Sequence, residues 1–381
     1  MADYPDDPRV LEAKAMPVED VLSRLGIGGL QRAGQEMIGP CPLCGGTDRF
    51  GINLKTKKFL CRHGDMKGGD VIALVMQHEN ISFPEALTWL CGEATTAVDP
   101  KERERRLAKA RAAERRAQEE SARYRAEAVA HAKRIWAKSR PGSDGVVAAY
   151  LRARGIDVAA IGGVPAALRF VLDHPYRKTI KGVKADLRGP AMIAGVLAPS
   201  GELRAVHQTW VSPDPPHGKR RIVVGETVFP SKLVRGSKKG GAIRLITPRG
   251  ARVLVVGEGI ETTLSAAVAQ PFEGACYWAG VDLGNMAGLQ RKIAGKRHSG
   301  LPDMSDHEAF VPPPWVERLV FIQDGDSDPA ATRAKLESGL RRAMALRPGL
   351  KGQIVHAGEG VDLNDVLTGG HDVDPPDGKD V

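Results

Sequence analysis

Two short apolar runs, each ending in acidic residues, constrain this chain more than any other feature. Val253-Leu254-Val255-Val256 leads into Gly257-Glu258-Gly259 and then into the helix-like stretch 260–267. Leu319-Val320-Phe321-Ile322 leads into Gln323-Asp324-Gly325-Asp326-Ser327-Asp328. Short β-branched runs bounded by glycine and followed by helix-like stretches predict buried parallel strands. In open α/β sheets, ligands gather at the carboxyl ends of such strands. Carboxylates converging there repel one another unless cations neutralise them. Mg²⁺ suits that role, since it takes oxygen ligands, keeps several waters and binds substrate phosphates as well. The pattern implies metal-assisted phosphoryl transfer.

The spacing resembles the Toprim domain, shared by bacterial-type primases, topoisomerases and some nucleases, over residues 250–368. That family has a glutamate after the first strand and an Asp-x-Asp after a later one. Carried over by position, the resemblance implies Glu258, Asp324 and Asp326 as catalytic residues. With Asp328 they would hold Mg²⁺ or Mn²⁺. Glu258 would serve as a metal ligand or as a proton acceptor. A lone Asp-x-Asp reads equally well as a solvated loop; Glu258 upstream is what favours a site.

A second metal pattern stands near the N-terminus. Cys41-Pro42-Leu43-Cys44 forms a knuckle, and Cys61-Arg62-His63 follows after a hairpin-sized insert. Two such pairs complete a tetrahedral zinc site. Gly64 stands where a second Cys-x-x-Cys would place its last cysteine, so His63 is the expected fourth ligand and Asp65 the alternative. The insert 48–60 reads as two short strands with a lysine-rich turn. The segment beyond it, 67–90, resembles the end of the CHC-type zinc-binding domain of bacterial primases. That family's Cys-His and Cys-Cys pairs become Cys-Cys and Cys-x-His here. The resemblance implies a ribbon presenting Arg49, Lys55, Lys57 and Lys58 to single-stranded template. Phe50 and Phe59 would either stack on bases or form the ribbon core.

The chain has 381 residues, room for two or three domains, and a formal net charge of +9. Residues 101–140 hold fourteen Lys/Arg and six Glu, so nearly all the excess sits there. That segment is alanine-rich, lacks glycine and proline, and has i,i+4 pairs such as Glu102–Arg106 and Glu119–Arg123. It predicts a solvated helix roughly 60 Å long, serving as a spacer or a phosphate-binding arm. No apolar stretch is long enough to span a membrane, and the acidic start 1–7 is no signal peptide. Five cysteines, three of them in the zinc pattern, point to a reducing cytoplasm rather than to disulfides. Cys91 and Cys276 read as ordinary buried thiols.

Between the helix and the acidic strands, residues 146–156 read as a short helix stopped by glycine. Strand-like runs follow at 168–171, 190–197 and 203–210, the last two joined by the turn Ala198-Pro199-Ser200-Gly201. A basic, glycine-bearing stretch, 232–245, leads into the Toprim-like part. This region resembles the subdomain that precedes Toprim in phage- and plasmid-type primases, which implies Arg204, His207, Lys232, Lys238, Lys239 and Arg244 as holders of template or nucleotide phosphates. Beyond the strand-like 353–356, Asp362 and Asp365 read as a helix cap or a further metal contact. The tail 369–381 is rich in Gly, Pro and Asp and is expected to be disordered.

The expected fold is therefore an α/β multidomain chain: a zinc-ribbon over 1–95, a charged helical linker over 96–140, a mixed α+β basic subdomain over 141–248 and a Toprim-type α/β domain with a central parallel sheet over 249–368. The resemblances imply a DNA primase that makes short RNA primers on single-stranded DNA from nucleoside triphosphates, by two-metal nucleotidyl transfer, with one structural Zn²⁺. The alternatives are a Toprim-type nuclease, which has no need of the ribbon, and a non-catalytic single-strand binding or loading factor, which has no need of intact carboxylates. A topoisomerase needs a tyrosine nucleophile in a strand-passage domain, and the five tyrosines lie in no such context. No Gly-x-x-x-x-Gly-Lys-Ser/Thr occurs, so a fork-bound role would require a separate helicase.

Overall fold

In the computed structural model, residues 7–64, 66–92, 100–143, 145–215, 217–269, 272–291, 293, 296–323 and 328–356 are described. They fall into two compact units, 1–122 and 123–381. Among the described residues no helix is long and apolar enough to cross a membrane.

The first unit begins with helices α1 (Pro8–Ala15) and α2 (Val18–Arg24). Five strands follow: β1 (Gln31–Ala33), β2 (Glu36–Cys41), β3 (Gly45–Asn53), β4 (Phe59–Cys61) and β5 (Lys67–Gly68). Each pairs antiparallel with the next, giving a meander. Helices α3 (Val71–Glu79) and α4 (Phe83–Cys91) close the unit. Their ends are chemically marked. Asp70 accepts from Ala73 N at 2.9 Å to cap α3, Asn80 ends it in the left-handed conformation, and Ser82 with Glu85 forms a capping box on α4. Phe50 and Phe59 are buried with Ile52, Val71, Leu74 and Leu87, so both phenylalanines belong to the ribbon core. Helix α5 (Pro100–Lys138) is the predicted charged helix, 39 residues long.

The second unit holds two five-stranded sheets. After β6 (Arg140–Pro141) and α6 (Val146–Ala153) come β7 (Leu168–Ile180), β8 (Val183–Leu197) and β9 (Leu203–Trp210). Then follow the hairpin β10 (Ile222–Val224) and β11 (Thr227–Phe229), and β12 (Lys232–Gly236). The first sheet is antiparallel, in the order β12-β9-β8-β7-β6. Strands β7 and β8 extend well past the predicted runs, because Lys181 and Gly182 adopt positive φ and close a tight hairpin.

The second sheet comprises β13 (Ile243–Ile246), β14 (Val253–Gly257), β15 (Cys276–Ala279), β16 (Arg318–Gln323) and β17 (Lys351–His356). Its order is β13-β15-β14-β16-β17, parallel throughout except for β13 at one edge. Helix α7 (Ile260–Ala269) links β14 to β15; α8 (Leu283–Ala287) and α9 (Pro329–Leu346) follow β15 and β16. The two predicted acidic strands are thus parallel neighbours, in register Val256↔Phe321. One apolar cluster joins both sheets, with Tyr150, Leu151, Met192 and Ala205 packing with Ile260, Leu264 and Ala279.

Helix α9 approaches α8 through Gly339, where an added Cβ would lie 2.9 Å from Ala287 Cα and 3.0 Å from the Phe321 ring. Gly339→Val forces these elements apart and should lower stability by about 1–3 kcal/mol. Arg333→Ala, on an exposed part of the same helix, should be nearly neutral. Thermal unfolding of the two variants tests the contrast.

Candidate functional site

At the first unit's knuckle, Cys41, Cys44 and Cys61 bring their sulfurs within 4.8 Å of one another. Cys41 ends β2, Cys61 ends β4, and the turn into β3 carries Cys44. The Cys44 and Cys61 sulfurs lie 3.5 Å apart, and Gly64 N donates to Cys61 Sγ at 3.1 Å. Burial pushes the Cys61 thiol up, but N–H groups of Gly64 and His63 and the neighbouring thiols outweigh it and bring it down to about 7. Cys44, sharing its hydrogen with Cys61, is pushed up. Three clustered thiols, one readily ionised, fit Zn²⁺, which binds thiolates. His63 is exposed and stands outside the sulfur cluster; Asp65 lies outside the described residues. Gly64 faces the cluster, since a Cβ there would sit 3.5 Å from Cys44 Sγ and 3.6 Å from Cys61 Sγ. A cavity of about 440 Å³ opens beside it, lined in part by Leu43, Met66, Met76 and Ile81.

The basic residues of the ribbon divide. Lys58 is exposed and Arg49 half-buried. Lys55 pairs with Glu120 at 2.8 Å. Lys57 folds back on the end of α1, donating to the carbonyls of Lys14 and Met16.

In the second unit, Glu258 sits immediately beyond β14. The outgoing connections of β14 and β16 diverge: β14 leads by α7 to β15 on one side, and β16 leads by α9 to β17 on the other. Their carboxyl ends therefore form a topological switch point, where open α/β sheets bind ligands. Asp324 and Asp326 follow β16 in sequence and lie outside the described residues, as do Asp362 and Asp365. Asp328 caps α9, accepting from Ala330 N and Ala331 N at 3.1 Å each.

The turn carrying Glu258 is fastened on both sides. Gly280 N donates to Gly257 O at 2.8 Å, and Thr263 Oγ1 donates to Gly259 O at 2.6 Å. Three residues on, Glu261 is buried, with its Oε1 accepting from the Tyr150 hydroxyl at 2.5 Å and its Oε2 lying 3.5 Å from Lys232 Nζ. Burial pushes the Glu261 carboxyl up, but Lys232, Lys219 and the Tyr150 hydroxyl outweigh it and hold the group ionised, below the usual range. Sequence reasoning passed over Glu261; its spacing from Glu258 was the available signal.

The expected phosphate holders are largely engaged elsewhere. His207 is buried, its Nδ1 has no hydrogen-bond partner, and burial with Lys232 nearby lowers its pKa to about 4, so it is neutral near pH 7. Lys238 pairs with Asp282 and Lys239 with Glu308. Arg244 donates to Ala198 O at 2.8 Å and lies over the Trp278 ring. Arg204 is half-buried on β9.

Residues 13–106 match the CHC2 zinc finger family. The match bears out the resemblance to primase zinc-binding domains drawn from Cys41, Cys44, Cys61 and the segment after them. Residues 126–245, from α5 to β13, match a second family, described as a domain of unknown function (DUF7146). Among solved structures, the zinc-binding and RNA polymerase domains of the Aquifex aeolicus primase are 15% identical, with 96% of this chain and 82% of that one covered and a TM-score of 0.35. The primase fragment of the bacteriophage T7 primase-helicase protein is 12% identical, covering 88% and 95%, with a TM-score of 0.32. A DnaG primase catalytic domain bound to single-stranded DNA is 14% identical, covering 60% and 72%, with a TM-score of 0.34. No curated protein is similar in sequence.

For the zinc finger, elemental analysis should find about one zinc per chain. Cys41→Ala should release it and unfold the ribbon, seen as lost protection of 31–68 in hydrogen exchange. Gly64→Cys places a thiol where the fourth corner is approached, and a Co²⁺ titration should then give a four-thiolate absorption spectrum and tighter binding than the parent.

Proposed function

We propose that this chain is a DNA primase of the bacterial and phage type, which makes short RNA primers on single-stranded DNA from nucleoside triphosphates. One observation carries the reading. Glu258 and the segment bearing Asp324 and Asp326 follow two adjacent parallel strands at a switch point, in a chain that also carries a CHC2 zinc finger. The second sheet with its connecting helices is assigned to a Toprim-type catalytic domain. The preceding sheet is assigned to the basic subdomain, and α5 is the linker in sequence between the zinc-bearing part and this subdomain.

In this assignment Glu258, Asp324 and Asp326, with Asp328 adjacent, hold Mg²⁺ or Mn²⁺. Ions held there would supply positive charge to lower the pKa of the primer 3′-hydroxyl and to stabilise the pyrophosphate leaving group. Glu258 either shares in holding the ions or accepts the 3′-hydroxyl proton. Zn²⁺ on Cys41, Cys44 and Cys61, with His63 as fourth ligand, keeps the ribbon rigid. Exposed Lys58 and half-buried Arg49 then meet template phosphates. A separate helicase is the proposed partner for work at a replication fork, with the cytoplasm supplying template and nucleotides.

The test is incubation with nucleoside triphosphates, Mg²⁺ or Mn²⁺ and a panel of single-stranded templates, with products resolved by length. Short RNA products support a primase, whereas nicked template supports a nuclease. Asp324→Asn, Asp326→Asn and Glu258→Gln should each lower synthesis by roughly 10³-fold or more, as expected when metal stabilisation of the transition state is lost. DNA binding should change little. Near-parental synthesis by all three variants would leave the single-strand binding factor as the better account.

A further inference from the structure

The glutamate assigned to catalysis sits between two glycines, the least constrained setting a backbone offers. Its position must therefore come from its surroundings. The carbonyls on either side, Gly257 O and Gly259 O, are held by Gly280 N and by Thr263. Gly257 lies so close to α7 that an added Cβ would meet Thr263 Oγ1 at 2.6 Å. The turn thus moves with the first turn of α7. What fixes that first turn fixes Glu258.

Apolar packing around Ile260 and Leu264 sets how near α7 lies to its neighbours, but such contacts are non-directional and leave rotation about the helix axis weakly specified. A carboxylate gripped from two directions specifies it. Glu261 is gripped in this way, by the Tyr150 hydroxyl on α6 and by Lys232 Nζ on β12. Its carboxylate is 5% exposed and already paired, so it is poorly placed to hold a solvent-facing metal. Lys232 is likewise committed to Glu261. His207, buried on the neighbouring strand β9, is neutral and adds no charge to compete for either partner.

We propose that Glu261 and Lys232 are positioning residues for Glu258: their ion pair, completed by Tyr150, locks the first turn of α7 and with it the turn 257–259. This rests on the primase reading for what Glu258 does, and on geometry alone for how it is held. Lys232, expected from the sequence as a phosphate holder, becomes part of the anchor.

The test compares full-length Glu261→Gln, Lys232→Met, the double variant and Tyr150→Phe. Three readouts are followed: hydrogen exchange of 257–263, Mn²⁺ affinity, and primer synthesis as a function of nucleotide concentration. Glu261→Gln should speed exchange of 257–263 by about tenfold or more while the sheets stay protected. Mn²⁺ affinity should weaken about tenfold. Synthesis should fall about 10²-fold in kcat with KM for nucleotide little changed, the loss expected from a small misplacement of a catalytic group. The double variant removes both members of the buried pair, leaving only half-buried Lys219 beside the site, and should keep the fold even if a single variant does not. Its turn should still exchange faster than the parent's, with weaker Mn²⁺ binding.

Parental exchange and Mn²⁺ affinity in the double variant would overturn the proposal. So would a Lys232→Met variant that raises KM alone, since that marks direct contact with the triphosphate. Exchange and Mn²⁺ binding are read without turnover. A parent protein that binds Mn²⁺ yet makes no RNA therefore sinks the primase reading and leaves the anchor standing.

Discussion

The parallel pairing of β14 with β16 is the constraint on which the rest of the second unit depends. Parallel neighbours cannot be joined by a tight turn, so each must leave through a crossover that returns to the sheet. Here the two crossovers go to opposite sides, by α7 and α9. That divergence makes the strand ends a switch point, and helices on both sides require apolar side chains on both faces of both strands. Leu254, Val255, Val256, Leu319, Val320 and Phe321 are all buried. The same requirement produces continuous rather than alternating apolar runs, which is why these strands stood out in the sequence.

Legibility followed the strength of local chemistry. The acidic strands, the charged helix, α6 and the β8–β9 hairpin could be read from apolar runs, charge pairing and turn residues. Strand β15 was not read from the sequence, because Cys276-Tyr277-Trp278-Ala279 is short and owes its place to pairing between β13 and β14. The length of β7 and β8 was hidden for a related reason. Polar residues such as Asp173, Arg177 and Lys184 break the apolar pattern, although cross-strand pairing carries both strands on to the turn at Lys181-Gly182. At the cysteine cluster, the three members that meet were legible from spacing alone. For the fourth position, where Gly64 offers only backbone, spacing left His63 and Asp65 as the candidates.

Charge was the least reliable guide to individual contacts. A basic residue on a sequence map is a candidate for phosphate, yet in the fold it meets the nearest carboxylate or carbonyl first. Lys238, Lys239, Lys232 and Lys57 all do so. Exposed pairs of this kind contribute little to stability and are weakened by salt, so Lys239 can exchange Glu308 for a phosphate at small cost. Lys232 cannot, because releasing it would leave Glu261 buried without its nearest cation. The distinction rests on burial of the partner, a quantity that sequence does not carry.

Helix α7 brings these threads together. Every residue from Ile260 to Ala267 is buried, including Glu261, Thr262, Thr263 and Ser265, so the first two turns of the helix have no solvated face. A helix buried all round is ordinarily apolar all round. An all-apolar α7 would pack as well and avoid the desolvation of a carboxylate, since replacing buried ion pairs by hydrophobic groups is often neutral or stabilising. It would also be free to settle in several rotations about its axis. A polar group with partners on other elements removes that freedom: Glu261 holds Tyr150 and Lys232, while Thr263 ties Gly259 to the helix's own first turn. The stability given up is exchanged for one defined orientation of the turn that bears Glu258. That exchange makes physical sense only if the placement of that turn matters to what the protein does.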